Sequence, residues 1–381
     1  MDTNQKTSWT TLQILKPFIQ EAWKESSFAE PTPVQKQAVP IIMEGEDVIC
    51  ESPTGTGKTI AYLLPILNQI DEQKKGLQVV ILAPSRELVM QIAEEIRKWT
   101  KGSGIVSTSL IGGANIKKQV EKLKKKPQII VGTTGRIMEL IKMKKLKMHE
   151  VKTIVVDEFD MLIEQEHIQH ITNIIKSTLK ERQLLFFSAT ISEKTKQFAN
   201  EWMKDPKWVK INREDSSNNV EHLYVVCEQR DKVDVLRKIL HTSDMKALAF
   251  IKNTDKLFEL ESKLKYKGIS LEILGSEAKK KEREQALKKF RTGEISLLLT
   301  TDVAARGLDI AEITHVFHVD FPSKSNQYIH RSGRTGRMGA KGTVISLVTK
   351  REESFLEKMS SELQISFKKK RLFKGKLIDE K

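Results

Sequence analysis

The sequence predicts an α/β protein built twice over, as two parallel sheets that are each covered by helices. Short β-rich runs without polar alternation recur along the chain, which is how strands buried on both faces read. Helix-length segments separate these runs, as crossovers between parallel strands require. The third observation is length: 381 residues exceed what one ordinary core holds.

In the first half the strand-like runs are Asp47–Cys50, Gln78–Leu82, Gln128–Val131, Thr153–Val156 and Gln183–Phe187. In the second they are Ala247–Ile251, Ser270–Leu274, Ile295–Thr300, His315–Val319 and Thr343–Leu347. Between the sets lies NREDSSNNVE, without large apolar residues and rich in turn formers. It divides the chain into domains at 1–211 and 220–381, with a linker at 212–219. The basic end of the chain, KKKRLFKGKLIDEK, reads either as a solvated tail or as a nucleic-acid contact.

Composition narrows the class. The longest apolar stretches fall short of the roughly 18 residues that cross a bilayer, and MDTNQKTSWT lacks the pattern of a secretory signal. Cys50 and Cys227 stand alone, which argues against a disulfide framework or a cysteine metal site and for a reducing cytoplasm. A net charge of +15 points to a polyanionic partner, of which nucleic acid is the commonest.

In sheets of this kind ligands gather beyond the carboxyl ends of the strands. After the first run comes ESPTGTGKT, residues 51–59. Gly55 and Gly57 let backbone N–H groups turn toward phosphate oxygens, Lys58 suits the β and γ phosphates, and the Thr59 hydroxyl suits Mg²⁺. Ser52 stands where the strict pattern has glycine, and Ser52, Thr54 and Thr56 complete the nucleotide-binding loop. TIVVDEFD then supplies Asp157, an acid after a second strand that can hold Mg²⁺, and Glu158, which can deprotonate the attacking water. KKQVEKLKKK, at 117–126, reads as a helix with Val120 and Leu123 inward and a solvated basic face, or as extra electrostatic attraction for a nucleic acid.

With what surrounds them, these loops resemble the DEAD-box ATP-dependent RNA helicases over residues 18 to 350. The resemblance implies two tandem RecA-like domains with the active site in the cleft between them, ATP and Mg²⁺ as cofactors, and RNA as partner. In FAEPTPVQ, Gln35 would read adenine and Phe28 would pack on the base, with Phe18 as the more distant aromatic. PSRELV, Gly112-Gly113 and TTGR would hold the RNA backbone through Arg86, Gly113, Thr133 and Arg136. SAT, at 188–190, would couple hydrolysis to strand separation, with Ser188 and Thr190 bonded to the loop around Asp160.

In the second half the resemblance implies that TTDVAARGLDI would place Asp309 on the ATP ribose and Thr301 on RNA, and that HRSGRTGR would supply Arg334 and Arg337 as arginine fingers. AFIKNT, with Phe250, and the region of Arg283 match more loosely. The resemblance further implies a cytoplasmic monomer that locally unwinds short duplexes, with ribosome assembly or cold adaptation as the setting. Three positions depart from the family pattern: Phe159 for alanine, Thr134 for proline, and Lys280 for glutamine. An ATP-gated RNA clamp with little unwinding, favoured by Phe159, and a DNA helicase of the same superfamily are the alternatives.

Overall fold

The computed structural model describes residues 9–26, 28, 30–163, 165–211, 220–241, 245–275, 280–305, 310, 313–337, 340–374 and 376–380, with backbone alone at 165, 166, 280 and 303. The linker expected at 212–219 lies outside the described residues. The chain divides into two compact units, Met1–Ser216 and Ser217–Lys381.

The first unit holds a parallel sheet of β1 (Val48–Glu51), β2 (Val79–Ala83), β3 (Ser107–Leu110), β4 (Ile129–Thr133), β5 (Thr153–Val156), β6 (Gln183–Ser188) and β7 (Lys207–Lys210). The spatial order is β3-β4-β2-β5-β6-β1-β7. Its central strands are buried at nearly every position because both faces are covered. Along β1, Val48 and Cys50 enter one core cluster and Ile49 the other. Helices Pro33–Met43, Lys58–Gln69 and Arg86–Trp99 cover the first face. Thr134–Lys142, Gln165–Lys176 and Glu193–Trp202 cover the second.

The second unit repeats the plan with β8 (Val220–Val226), β9 (Ala247–Phe250), β10 (Leu271–Leu274), β11 (Leu297–Thr300), β12 (His315–His318), β13 (Gly342–Val348), β14 (Phe367–Phe373) and β15 (Lys376–Asp379). Their order is β10-β11-β9-β12-β13-β8-β14-β15. Among the described residues every pair is parallel except β14 with β15. The chain's end is therefore no loose tail. β14 extends the sheet beside β8 and turns into an antiparallel ribbon.

Helix starts follow local chemistry. The Ser85, Asn115, Ser192 and Asn253 side chains each accept a bond from a first-turn N–H. The first seven residues of KKQVEKLKKK lie in the helix Ile116–Leu123, where Val120 and Leu123 pack on the core and the lysines face solvent. Gln119, buried, bonds the backbone of Ile111 through both amide atoms.

Candidate ATP and RNA site

The loop between β1 and the helix Lys58–Gln69 turns on Gly55 and Gly57, both at positive φ. Gly57 is additionally enclosed: a Cβ there would lie 2.6 Å from Gln35 Nε2. Thr56 Oγ1 bonds Ser52 Oγ at 2.7 Å and donates to Pro53 O at 2.8 Å, which pins the loop from inside. Lys58, buried, folds its Nζ back onto Ser52 O at 2.6 Å and Pro53 O at 2.9 Å. Burial lowers the Lys58 pKa, while the nearby Asp157 pulls it upward.

Gln35 is fully buried at the third position of its helix. Its Oε1 accepts from Thr32 N–H at 3.0 Å and its Nε2 donates to Gly57 O at 3.4 Å. An amide has two N–H donors and two lone pairs. One of each remains unused, on a side chain already tied to the phosphate loop. Phe28 stacks on Trp99 with centroids 6.3 Å apart and tilts against Trp23 at 5.6 Å. Phe18 packs half-buried on the same core cluster.

Asp157 follows β5 and is buried; burial, then the neighbouring Glu158 charge, pushes its carboxyl up to about 6. Its Oδ1 accepts from Glu158 N–H at 2.9 Å, and its Oδ2 accepts from Tyr62 O–H at 2.9 Å. A hydroxyl on the phosphate-loop helix, three residues beyond Thr59, therefore holds the candidate metal ligand Asp157 in place. Glu158 takes a left-handed backbone conformation, and its Oε2 is buried without a hydrogen-bond partner. A buried carboxylate oxygen left open beside an anion-binding loop suits a water nucleophile. Among the described residues no cluster of three or more His, Cys, Asp or Glu side chains could cage a metal. Mg²⁺ does not require one, since it usually takes one or two protein oxygens with phosphates and water, and Thr59 and Asp157 fit that demand.

The next loops meet at the same edge of the sheet. Asp160 N–H donates to Ser188 Oγ at 3.1 Å, Ser188 Oγ–H donates to Thr190 O at 2.7 Å, and Thr190 Oγ1 donates to Asp160 Oδ2 at 3.0 Å. The structure thus brings together all three residues assigned to coupling. Phe159, the departure between them, points away from this ring of bonds. It is 0 % exposed and packs on Phe186 at 4.5 Å and Phe198 at 5.5 Å, inside the core.

Arg86 is exposed at the start of its helix, and Gly113, at positive φ, lies so near that a Cβ would fall onto the Arg86 guanidinium. Arg136 is buried, with both terminal nitrogens donating to Ala114 O at 3.1 Å and an ion pair to Glu139 at 2.9 Å. It shapes the glycine loop from behind. Thr133 ends β4, and Thr134 Oγ1 meets His167 Nδ1 at 3.1 Å, a tie between two helices that proline could not make.

In the second unit Asp309 lies outside the described residues, as does the side chain of Lys280. Thr301 is buried after β11, and its Oγ1 accepts from Ala304 N–H at 3.4 Å. Arg283 donates to Ala304 O at 2.8 Å from the neighbouring helix. Arg334 Nε donates to His330 O at 3.3 Å and Arg337 Nε to Gly333 O at 3.1 Å, so both engage their own loop. Thr335 fastens that loop to Ile313 O at 2.6 Å.

Two relationships escaped the sequence reading. Arg331 forks onto Asp302 at 2.6 and 2.8 Å, donates to Asp320 O at 2.7 Å, and lies 5.0 Å from the Phe250 ring centroid. It joins TTDVAARGLDI to HRSGRTGR; an acid and an arginine in two separate motifs were the available signal. Tyr62 gave none, because IAYLLPIL reads as an apolar helix.

Comparison with known proteins agrees with this geometry. Residues 32–198 match the DEAD/DEAH box helicase family, and residues 231–339 match the helicase conserved C-terminal domain. The chain is 53% identical over 367 residues to the DEAD-box ATP-dependent RNA helicase CshC of Bacillus cereus, covering 96% of this chain and 94% of that protein. It is 52% identical to the probable ATP-dependent RNA helicase YfmL of Bacillus subtilis, covering 97% and 98%. A solved structure of S. cerevisiae Dbp5 bound to RNA and ADP BeF3 superposes with a TM-score of 0.85 at 28% identity, covering 96% of each chain. Its two parallel-sheet units are tandem RecA-like domains, and the chain belongs to the DEAD-box ATP-dependent RNA helicases.

Proposed function

We propose that this helicase hydrolyses ATP to ADP and phosphate under RNA stimulation and uses the cycle to separate short RNA duplexes or remodel RNA–protein complexes locally. The observation that carries the chemistry is the buried, unpartnered Oε2 of Glu158 beside Asp157, next to a phosphate loop whose lysine has only backbone to hold. Glu158 takes the proton of the attacking water. Lys58 exchanges its two loop carbonyls for the β and γ phosphates. Ser52, Thr54, Gly55, Thr56 and Gly57 line the phosphates, and Gln35 and Phe28 hold the adenine. Thr59 and Asp157 hold Mg²⁺, which when bound neutralises phosphate charge. Arg334 and Arg337 supply arginine fingers, Asp309 the ribose contact, and Thr301 with Arg86, Gly113, Thr133 and Arg136 the RNA backbone contacts.

The ring of Asp160, Ser188 and Thr190 supports a coupling role, because a shift of the acidic loop on hydrolysis would pull on SAT. Phe159 was the feature favouring an RNA clamp; with its ring in the core, that support falls away. For the setting we propose the cytoplasm, a monomer, and ribosome assembly or cold adaptation, supported by the basic charge and the likeness to the Bacillus proteins.

Steady-state ATP hydrolysis with no nucleic acid, with single-stranded RNA and with matched DNA tests the proposal. Strong stimulation by RNA alone is expected. Equal stimulation by DNA would overturn RNA as the substrate, and ATP-dependent RNA binding with negligible turnover would make the protein a clamp.

A further inference from the structure

Strands β14 and β15 form a ribbon at the edge of the second sheet, with Phe373 opposite Lys376, Leu372 opposite Leu377 and Arg371 opposite Ile378. Side chains alternate across a ribbon. One face sends the facing pair Leu372 and Leu377 onto the core beside Leu236 and Ile239, which fixes the ribbon's orientation. The opposite face then carries Arg371, Phe373 and Lys376, all exposed, and Lys374 at the turn sets its Nζ 5.6 Å from the Phe373 ring centroid.

The ribbon's other lysines are matched by acids: Lys368 by Glu221, Lys369 by Glu353 and Glu380, and Lys370 by Asp379. Arg371, Lys374 and Lys376 have no ion pair among the described residues. Phe373 is 53% exposed, a large apolar surface placed among three uncompensated cations. Cations spaced around an exposed ring match the charge and flat faces of a single nucleic-acid strand, which supplies phosphates to the former and bases to the latter. β15 lies six strand spacings from β11, about 29 Å at the usual interval, so this face is remote from Thr301.

We propose that the outward face of this ribbon is a second, nucleotide-independent contact for single-stranded RNA. It holds a segment of a long strand while the central motifs act on another, which raises the local concentration of substrate. The inference rests on the reading of RNA as the partner.

The experiment is a titration of the nucleotide-free protein with labelled oligo-uridine of about 40 nucleotides at several salt concentrations, beside ATPase stimulation by a saturating strand of about 8 nucleotides. Replacing Arg371, Lys374 and Lys376 together by alanine should weaken long-strand binding and lower the slope of log K against log salt by about 2, at roughly 0.7 per lost phosphate contact. Phe373→Ala should weaken it by roughly fivefold or more. ATPase stimulation by the short strand should stay unchanged in both variants. Unchanged long-strand affinity and slope would overturn the inference, as would loss of binding on deleting 366–381 but in neither side-chain variant. Failure of the wild type to respond to the short strand would instead count against RNA as the substrate.

Discussion

The Tyr62 hydroxyl donates to Asp157 Oδ2 at 2.9 Å, from the helix that opens just before Thr59. That bond and the one from Glu158 N–H orient the Asp157 carboxylate and leave a lone pair on each oxygen for a cation. Tyr62→Phe removes that arrangement without opening a cavity. Mg²⁺-dependent binding of a fluorescent ADP analogue should weaken about tenfold, as the loss of one hydrogen bond to a charged group implies, while metal-free nucleotide binding stays the same. An unchanged Mg²⁺ dependence would remove Tyr62 from the site.

Phe159 belongs to the core rather than to the coupling ring. Phe159→Ala should destabilise the first unit by roughly 3–5 kcal/mol, the range for a fully buried aromatic. At a temperature where the variant stays folded, ATP affinity should equal that of the wild type. A thermal shift together with nucleotide binding checks both halves. A stability loss below about 1 kcal/mol would contradict the packing described here.

Arg331 and Asp302 form an ion pair whose arginine is almost wholly buried. Breaking it by Asp302→Ala strands a guanidinium in the core and should lower the stability of the second unit by about 3–5 kcal/mol. Denaturant unfolding of the second unit measures this. Arg331→Met, which removes the charge and keeps the volume, should be milder than Asp302→Ala; the reverse order would show that the pair itself, not the stranded charge, dominates.

His318 lies fully buried between Ser346, whose Oγ is 3.1 Å from Nδ1, and the rings of Tyr328, Phe250 and Phe321. Burial, then the Arg331 charge, holds its pKa well below 6.5. An unfolded chain takes up a proton on this residue near 6.5 and the folded one does not, so stability falls as pH drops below that value. Between pH 6.5 and 5 the unfolding free energy of wild type should fall more steeply than that of His318→Gln, by up to one proton. Equal slopes would mean that His318 is protonated in the fold.

Most of the architecture was legible because central strands of a parallel sheet lack polar alternation, as VVILA and TIVV do. The strands that escaped notice lie at or near sheet edges. STSL buries alternate side chains, KWVK buries Val209 alone, and FKKKRLF buries none fully. With one neighbour or one covered face, such strands lack an apolar run. The phosphate loop and the Asp157-Glu158 pair could be read from residue chemistry, because glycine, lysine and carboxylates in those places have few other uses. The roles proposed for the ring of Asp160, Ser188 and Thr190 and for the loops assigned to RNA came from family resemblance, since SAT and TTGR carry little chemistry by themselves. Tyr62 and Arg331 needed coordinates, because each acts through a partner far away in the chain.

The central claim is that Glu158 is the base of an ATPase whose other parts bind without it. Single-turnover hydrolysis by Glu158→Gln, with ATP and single-stranded RNA bound, tests that most directly. The glutamine keeps the shape and removes the proton acceptor. ATP and RNA binding should stay within about twofold of wild type, while hydrolysis falls by roughly 10²–10⁴. Hydrolysis within a few-fold of the wild-type rate would place the base elsewhere and contradict the account.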